Sequence, residues 1–348
     1  MRIAEEKLRR IIEGLLETLG VKEPETRLVT DILIYADMRG IHTHGCALLP
    51  IIAERKAAGV INIPTKTERI TDDKAVTLFD GNNGLGQVAA AEAMQVSIIK
   101  AKKYGIAMTL IRNTNNIGSL GYYSSMAAPA GMIGISMTNA ASAIAPWGGA
   151  EPFFGTNPLS IAAPLSNRPP IVLDMSSSVV ARGKIRRAAR LKEDIPEGWA
   201  FDITGQPTTD PELALKGTLL PIAGPKGYGL ALFIDLLCGL LSGSKYGPDL
   251  LTFHKPLGPT GVGATLIAID ISRFMSHERF ETLASEYAIA IQNSKKAKGV
   301  DRIFLPGEIE AENEYSSRIR GINLDSQVAE KINLLLKEKG LSIRIEEK

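Results

Sequence analysis

Two hydrophobic patterns divide this sequence and limit what it can fold into. Apolar residues recur at helical spacing from Leu8 to Leu19 and stop at Gly20, which indicates an amphipathic helix. A second helix is predicted for residues 24–39, with a proline in its first turn and Gly40 just after its end. The first seventy residues therefore form a helical unit, and the segment 39–45 leaves its second helix as a loop.

From about residue 75 the pattern changes to alternating strands and helices. Strands are predicted at 75–80, 106–112, 132–138, 159–164, 171–175 and 264–270, and helices at 87–105, 276–294 and 325–339. Glycine-rich and proline-rich connections separate them. This predicts an α/β core, with longer loops than a simple doubly wound sheet needs.

Length and composition bound the classes of protein that remain. The chain has 348 residues, 45% of them hydrophobic, which is enough for a large core and two or three domains. Forty basic against thirty-eight acidic residues give no global field to attract nucleic acid or an anionic membrane. The basic run 182–192 is interpreted as a solvated helix face, with a small phosphate-bearing ligand as the alternative.

Cysteine content and apolar runs favour a cytoplasmic protein that does not enter a membrane. Cys46 and Cys238 are the only cysteines, and no secretion signal opens the chain. The longest apolar stretch, residues 229–243, carries Asp235 and is shorter than the ~20 residues of a membrane span.

Two of the four histidines lie one residue apart in the segment RGIHTHGCALLP. A metal site needs further ligands of suitable type, and His254 and His277 are far away in the sequence, so no metal is expected. We interpret His42 as a polar turn residue. His44, next to Gly45 in a loop that leaves a helix, suits a general acid or base.

A glycine-rich turn at 84–89 matches the dinucleotide fingerprint G-x-G-x-x-[GA]. The preceding strand ends several residues too early, however, and the next strand ends in Arg112 and Asn113 instead of an acidic residue for the ribose. We therefore expect a turn that begins a helix, not a Rossmann domain.

Many irregular loops follow, and each contains residues that fix special backbone geometry. They are 112–123, 138–149, 155–164, 172–178, 195–202, 207–211 and 224–232. Loops of this kind crowded around a sheet commonly line a ligand site, so one shared cleft is predicted.

In this order the motifs GTNP, APWGG, IPEGWAFD, KGYGLAL and LPGE resemble the type 2 malate/L-lactate dehydrogenase family of NAD(P)-dependent oxidoreductases. The resemblance covers residues 5–325. It implies an α/β, non-Rossmann fold that binds NAD or NADP, with an N-terminal helical unit, a small-molecule substrate and a homodimer. We expect a helical, dimer-forming domain from residues 1–72 with 275–348 and a cofactor- and substrate-binding core from 73–274.

The resemblance also implies roles for individual residues. His44 falls on the family's proton donor or acceptor, and Thr43 keeps a hydroxyl that orients it. The implied cofactor-binding residues are Asp174, Met175, Ser176, Ser177, Lys226, Gly227, Pro306, Gly307 and Glu308. A lysine at the glycine-rich start of a helix is also a physically reasonable partner for an anion.

Three positions depart from the family pattern. Leu48 stands where the family has an arginine that grips the substrate carboxylate, and Ile52 where it has a tyrosine. Asn116 replaces a histidine; it can polarise a substrate oxygen but cannot shuttle a proton. With Asn139, Thr156 and Lys184, the side chains of Leu48 and Ile52 make up the predicted substrate pocket.

Three interpretations follow from these departures. The first is an NAD(P)-dependent dehydrogenase or reductase acting on a hydroxyl/carbonyl or amine/imine carbon, with a pocket made more apolar by Leu48 and Ile52. The second is an ordinary 2-hydroxy acid dehydrogenase in which Lys184 or Arg182 holds the carboxylate. The third is a catalytically weakened NAD(P)-binding protein with a regulatory role.

Overall fold

A computed structural model of the chain describes residues 1–346. Its eleven named helices in this range are α1 (Glu5–Thr18), α2 (Glu25–Met38), α3 (Leu49–Ala57), α4 (Gly86–Tyr104), α5 (Leu120–Met126), α6 (Arg182–Leu191), α7 (Pro211–Lys216), α8 (Pro225–Asp235), α9 (His277–Gln292), α10 (Glu308–Arg320) and α11 (Ser326–Glu338). Its strands are β1 (Arg2–Ile3), β2 (Glu68–Asp73), β3 (Val76–Asp80), β4 (Ile106–Thr114), β5 (Met132–Thr138), β6 (Leu159–Leu165), β7 (Arg168–Met175), β8 (Ala200–Phe201), β9 (Thr218–Leu219), β10 (Val262–Asp270) and β11 (Ile322–Asn323).

The first three helices and α11 form one apolar core. The stripe of α1 that includes Leu8, Leu15 and Leu16 is fully buried against residues of α2, α3 and α11. The short pair β1–β11 ties the start of the chain to the segment before α11. The helical unit predicted from the spacing of apolar residues is thus present, and it joins both ends of the described chain.

A seven-stranded sheet in the order β2-β3-β4-β10-β5-β6-β7 forms the centre of the molecule. Only β3 and β4 run parallel, joined by α4, and every other neighbouring pair is antiparallel. A Rossmann domain needs a mainly parallel sheet, so this topology agrees with the non-Rossmann fold expected from sequence.

Helices cover both faces of this sheet. Alternate residues of β10, Ala264, Leu266 and Ala268, pack with α4 in one core, whereas Ile267 packs toward α8 in another. One π-helical turn, Leu236–Leu240, continues α8. A central strand that is covered on both faces of its sheet needs apolar side chains on both sides, as β10 has.

Two elements near the predicted domain boundaries pack on the main sheet. Strand β2, which a boundary after residue 72 would cut, pairs with β3 in the main sheet. Helix α9 packs on β6, where Ala288 shares a small core with Leu165, because its apolar residues face the sheet and not the helical unit. The division into two domains remains a prediction, and its last two residues, 347 and 348, lie outside the described residues.

Within residues 1–346, none of the helices combines the length and the apolar composition that a membrane crossing requires. The same range contains no group of three or more His, Cys, Asp and Glu side chains placed to share a metal ion.

Candidate active site

The loop that carries His44 is fixed by a buried carboxylate at the end of α2. Asp37 accepts a hydrogen bond from the backbone N–H of Cys46 at 2.7 Å, and its Oδ1 lies 3.3 Å from His42 Nδ1. A Cβ on Gly45 would lie 2.2 Å from this carboxylate, a separation that no real side chain tolerates. Gly45 therefore permits the close approach of loop and carboxylate, and His42 is the polar turn residue that the sequence predicts.

His44 is held in a defined orientation by its neighbour. Its Nδ1 lies 2.8 Å from Thr43 Oγ1, and which atom donates depends on the tautomer. Burial, together with the nearby charge of His254, lowers the pKa of His44 to about 4. The imidazole is therefore neutral near pH 7, with Nε2 free to accept a proton when Nδ1–H donates to Thr43.

The turn that carries Asn116 lies beside this loop. Asn116 Oδ1 accepts a hydrogen bond from the Gly118 N–H at 2.9 Å. Gly118 has φ +79°, and a Cβ there would lie 4.0 Å from the backbone oxygen of His44. The structure thus brings His44, Thr43 and Asn116 into one region.

The glycine-rich turn before α4 is filled by protein atoms. A Cβ on Gly86 would lie 2.4 Å from the Asn115 carbonyl oxygen and 2.6 Å from that of Asn116. Asn115 Nδ2 donates to the Gly84 carbonyl at 2.8 Å. These glycines let α4 pack against the end of β4, and the turn presents no open cradle for a pyrophosphate.

A short segment connects the His44 region with Asp174 at the end of β7. The Asp174 carboxylate accepts hydrogen bonds from the Gly121 N–H at 2.8 Å and from Ser119 Oγ at 3.1 Å. Burial of the carboxyl group among these atoms raises its pKa, although part of the residue stays exposed. Residues 116–121 therefore run from the proposed proton-transfer group to a predicted cofactor-binding residue.

The predicted cofactor segments meet around β7. Both the N–H and the hydroxyl of Ser177 donate to the Thr156 carbonyl at 2.8 Å, and the Ser177 carbonyl accepts from Ile222 N–H at 2.9 Å. The Val172 N–H donates to the Pro306 carbonyl at 3.1 Å. Backbone hydrogen bonds thus join the loops around residues 156, 177, 222 and 306.

The side chains of these segments differ in how many hydrogen bonds they already make within the protein. Ser176 Oγ lies 3.0 Å from Ser178 Oγ, and Met175 is half-buried opposite Leu159. Glu308 accepts from the Leu305 N–H at 2.9 Å and from Gln292 at 3.0 Å and pairs with Arg302. Since that carboxylate is occupied, the turn at 306–308 can offer a cofactor only its backbone and its shape.

Lys226 is exposed in the first turn of α8. Gly227 is buried behind it, because a Cβ there would lie 2.2 Å from the Ile222 carbonyl oxygen. A cation at a helix N-terminus favours an anion twice, through its own charge and through the free N–H groups. Lys226 is therefore a residue that could hold a phosphate group.

The structure corrects the predicted substrate pocket. Leu48 and Ile52 are 2% and 0% exposed and lie in the core of the helical unit, so neither forms the wall of an open pocket. Asn139 is buried and saturated: its amide donates to Asp235 and Lys245, and its oxygen accepts from Gly263 N–H. Thr156 is half-buried and contributes its carbonyl to Ser177.

The two cations suggested for the substrate carboxylate also differ in placement. Arg182 donates to the Leu215 carbonyl at 2.7 Å and anchors α6 to α7, so it is not free for a substrate. Lys184 is exposed on α6.

Sequence reasoning assigned no role to three basic residues, Arg55, Arg186 and His254. The charge of His254 acts on His44, and that of Arg186 acts on His254. Arg55, fully buried, donates to the loop that carries His254. The sequence offered no signal for Arg186 or His254, and for Arg55 only its charge within α3.

Comparison with known proteins agrees with this fold. Residues 3–333 match the family model described as malate/L-lactate dehydrogenase. The chain is 38% identical to the malate/(S)-sulfolactate dehydrogenase of Methanothermus fervidus over 99% of each chain. It is 35% identical to the NAD(+)-dependent ureidoglycolate dehydrogenase of Escherichia coli K12 over 93% of each. The solved sulfolactate dehydrogenase of Methanocaldococcus jannaschii superposes with a TM-score of 0.94 at 37% identity, covering 99% of this chain and all of that one.

Fold and comparisons together define the class of protein, an NAD(P)-dependent oxidoreductase of the dehydrogenase type. The chain belongs to the malate/L-lactate dehydrogenase family, which confirms the prediction made from its motifs.

Proposed function

We propose that the chain interconverts a small anionic 2-hydroxy acid and its 2-oxo acid with NAD or NADP, using His44 for proton transfer. The observation that carries this proposal is the 2.8 Å contact between His44 Nδ1 and Thr43 Oγ1, beside a segment that leads directly to Asp174. This contact supports the proposal because it orients a neutral imidazole, and the segment beside it leads to a predicted cofactor-binding residue.

A nicotinamide cofactor held by these residues would supply the hydride acceptor for oxidation of the substrate C–H bond and the hydride donor for reduction. In oxidation, His44 Nε2 accepts the hydroxyl proton while Nδ1–H donates to Thr43, so the C=O bond forms as the O–H bond breaks. In reduction, the imidazolium returns that proton to the substrate oxygen. The Asn116 side-chain amide polarises the same oxygen without exchanging a proton.

Several residues fit the cofactor. Asp174 and the serines after it line one edge, Gly307 allows the chain to pass close to β7, and Lys226 offers a charge for a phosphate. At Gly307 the φ is +83° and a Cβ would lie 2.9 Å from the Val172 carbonyl oxygen, so the close approach requires glycine. The choice between NAD and NADP stays open.

The substrate proposal rests on where the unusual residues lie. Leu48 removes the expected arginine, but the leucine is in the core and does not enlarge a pocket. The arginine-rich helix α6 approaches Thr43 at Gly183, and a relative of 38% identity is named for malate and sulfolactate. The pocket is thus altered in how it holds an acid group, and we favour a relocated cation over an uncharged substrate.

A substrate panel tests this proposal. NADH and NADPH binding is measured first by fluorescence, and then turnover of 2-oxo acids with one or two acid groups, a cyclic imine and an uncharged ketone. We expect turnover of the 2-oxo acids above all. Efficient reduction of the ketone alone would contradict the acid substrate, and cofactor binding with no turnover would favour the regulatory interpretation.

We further propose that the protein is a homodimer. An apolar face runs along the end of α8 and the π-helical turn, where Phe233, Leu236, Leu240 and Leu241 are exposed. Sedimentation of the wild type and of the double variant Leu240→Ser, Leu241→Ser tests this: the wild type should sediment as a dimer and the variant as a monomer.

We also propose a cytoplasmic location, supported by two free, buried thiols. Fractionation of the native cell tests this location.

A further inference from the structure

A buried arginine fixes the loop at 253–258. Arg55 is 0% exposed, and its guanidinium donates to the carbonyls of Gly258 at 2.7 Å, Lys255 at 3.1 Å and Val60 at 3.2 Å. It also reaches Asn115 Oδ1 at 3.4 Å, next to Asn116. One rigid, planar donor thus joins the loop carrying His254 to the turn carrying Asn116.

Helix α6 covers the other side of the same region. Its buried face, Ile185 and Ala188, packs in a small core with residues of β8 and β9. Its opposite face meets the helical unit: a Cβ on Gly183 would lie 3.6 Å from the Thr43 methyl carbon, and Arg190 donates to Gln327 at 2.7 Å. Since residues three apart share a helix face, Arg186 follows Gly183 on the side toward Thr43.

The charges of these two elements converge. Burial and the charge of Arg186 lower the pKa of His254, and the charge of His254 contributes to the low pKa of His44. Among residues 1–346, no carboxylate forms a salt bridge with Arg186 or with His254. Arg186 therefore carries a permanent charge without a protein counter-ion in this range, whereas His254 is uncharged near pH 7, and both side chains are exposed.

We propose that Arg186 and His254 form the anion-binding wall of the substrate pocket and receive an acid group of the substrate, in place of the arginine that Leu48 replaces. The inference rests on the proposed function and names its specificity residues. Arg186 supplies a permanent charge and a planar donor pair, which suits a carboxylate or sulfonate. His254 gains its proton when the anion arrives, because the added negative charge favours the imidazolium.

A cofactor phosphate is the competing ligand for this wall. Lys226, on a different helix and within the group of loops around Ser177, already suits that phosphate. Helix α6 instead approaches Thr43 at Gly183, next to the proposed proton-transfer group, so we assign the wall to the acid group of the substrate.

Kinetics of Arg186→Gln test the assignment, with Lys192→Gln, an exposed cation at the C-terminal end of the same helix, as the matched control. We expect the KM for the best 2-oxo acid to rise about 10- to 100-fold in Arg186→Gln, the size of a lost charge-assisted contact. NAD(P)H affinity should stay unchanged, and Lys192→Gln should match the wild type. An unchanged KM in both Arg186→Gln and His254→Gln overturns the inference, as does a loss of NADPH affinity without a change in KM.

A second measurement does not depend on turnover. The chain has four histidines, so their ring signals in the NMR spectrum can be assigned with His44→Gln and His254→Gln. Malonate, which cannot accept a hydride, should raise the pKa of His254 in the wild-type protein with NAD(P)H bound, and should not do so in Arg186→Gln. If malonate shifts His254 but no substrate turns over, the proposed function fails and the anion site stands. If malonate leaves His254 unchanged, the anion site is wrong.

Discussion

Replacing Gly45 with alanine tests how the structure positions His44. The new Cβ would lie 2.2 Å from Asp37 Cγ and Oδ1, where ordinary contacts begin at 3.4 Å. Loop and carboxylate must therefore separate by about 1 Å. Either the hydrogen bond from Cys46 N–H to Asp37 breaks or the backbone next to His44 moves.

The loss in free energy of unfolding can be estimated for both outcomes. Overpacking a closed site costs about 1–3 kcal/mol, and leaving a buried donor or acceptor without its partner costs about 1–3 kcal/mol more. The free energy of unfolding should fall by about 2–6 kcal/mol. Since a displacement of about 1 Å in a reacting group can cost roughly 100-fold in rate, kcat should fall by about that factor.

Urea denaturation and steady-state kinetics at a temperature where the variant stays folded measure the two effects. Gly14→Ala is the matched control: it lies inside α1, and its Cβ would meet only Leu341 at 3.6 Å. That variant should keep the wild-type kcat and a stability within about 1 kcal/mol. Wild-type stability and kcat in Gly45→Ala would refute the claim that Asp37 fixes the His44 loop.

Three further predictions concern proton transfer, the buried arginine and the cofactor. The pKa of His44 is about 4, and reduction needs its imidazolium form. The kcat/KM for reduction should therefore fall about tenfold per pH unit above that pKa, whereas the kcat/KM for oxidation should stay level from about pH 5 to 8. A reduction profile that is level across this range contradicts the assignment. Arg55→Met should lower the free energy of unfolding by about 3–5 kcal/mol in urea denaturation, since buried carbonyls lose their donor. Arg55→Lys should restore less than half of that loss. Equal stability of Arg55→Met and wild type would exclude a stabilising role of Arg55 in the loop at 253–258. Lys226→Gln should weaken NAD(P)H binding about tenfold by fluorescence titration without changing the KM for the 2-oxo acid; an unchanged Kd removes Lys226 from the cofactor site.

The elements with clear periodicity could be predicted from the sequence. α1, α2, α4 and the central strands lie within a few residues of their predicted bounds because each buries an apolar stripe or an alternating face. Helix α10 was missed for the opposite reason. It has no buried residue, so its sequence carries no periodic signal, and its position depends on Gly307 packing on β7.

The site shows a similar division. His44 and Thr43 could be proposed from the local motif, since adjacent residues in one turn are close in any fold. The orientation of Leu48 could not, because a leucine in place of an arginine is compatible with both a pocket wall and a core. Arg186 and His254 are 68 residues apart in the sequence, and only the packing of α6 and of the Arg55 loop brings their charges together.

Single-turnover hydride transfer tests the central claim most directly. NADH or NADPH deuterated at the transferring position of nicotinamide C4 is mixed with the best 2-oxo acid and either wild-type protein or His44→Ala. With hydride transfer from nicotinamide and His44 as the proton donor, we expect deuterium at the new C–H bond of the hydroxy acid and a rate at least ~100-fold lower in His44→Ala. A product without deuterium, or an unchanged rate in His44→Ala, would contradict it.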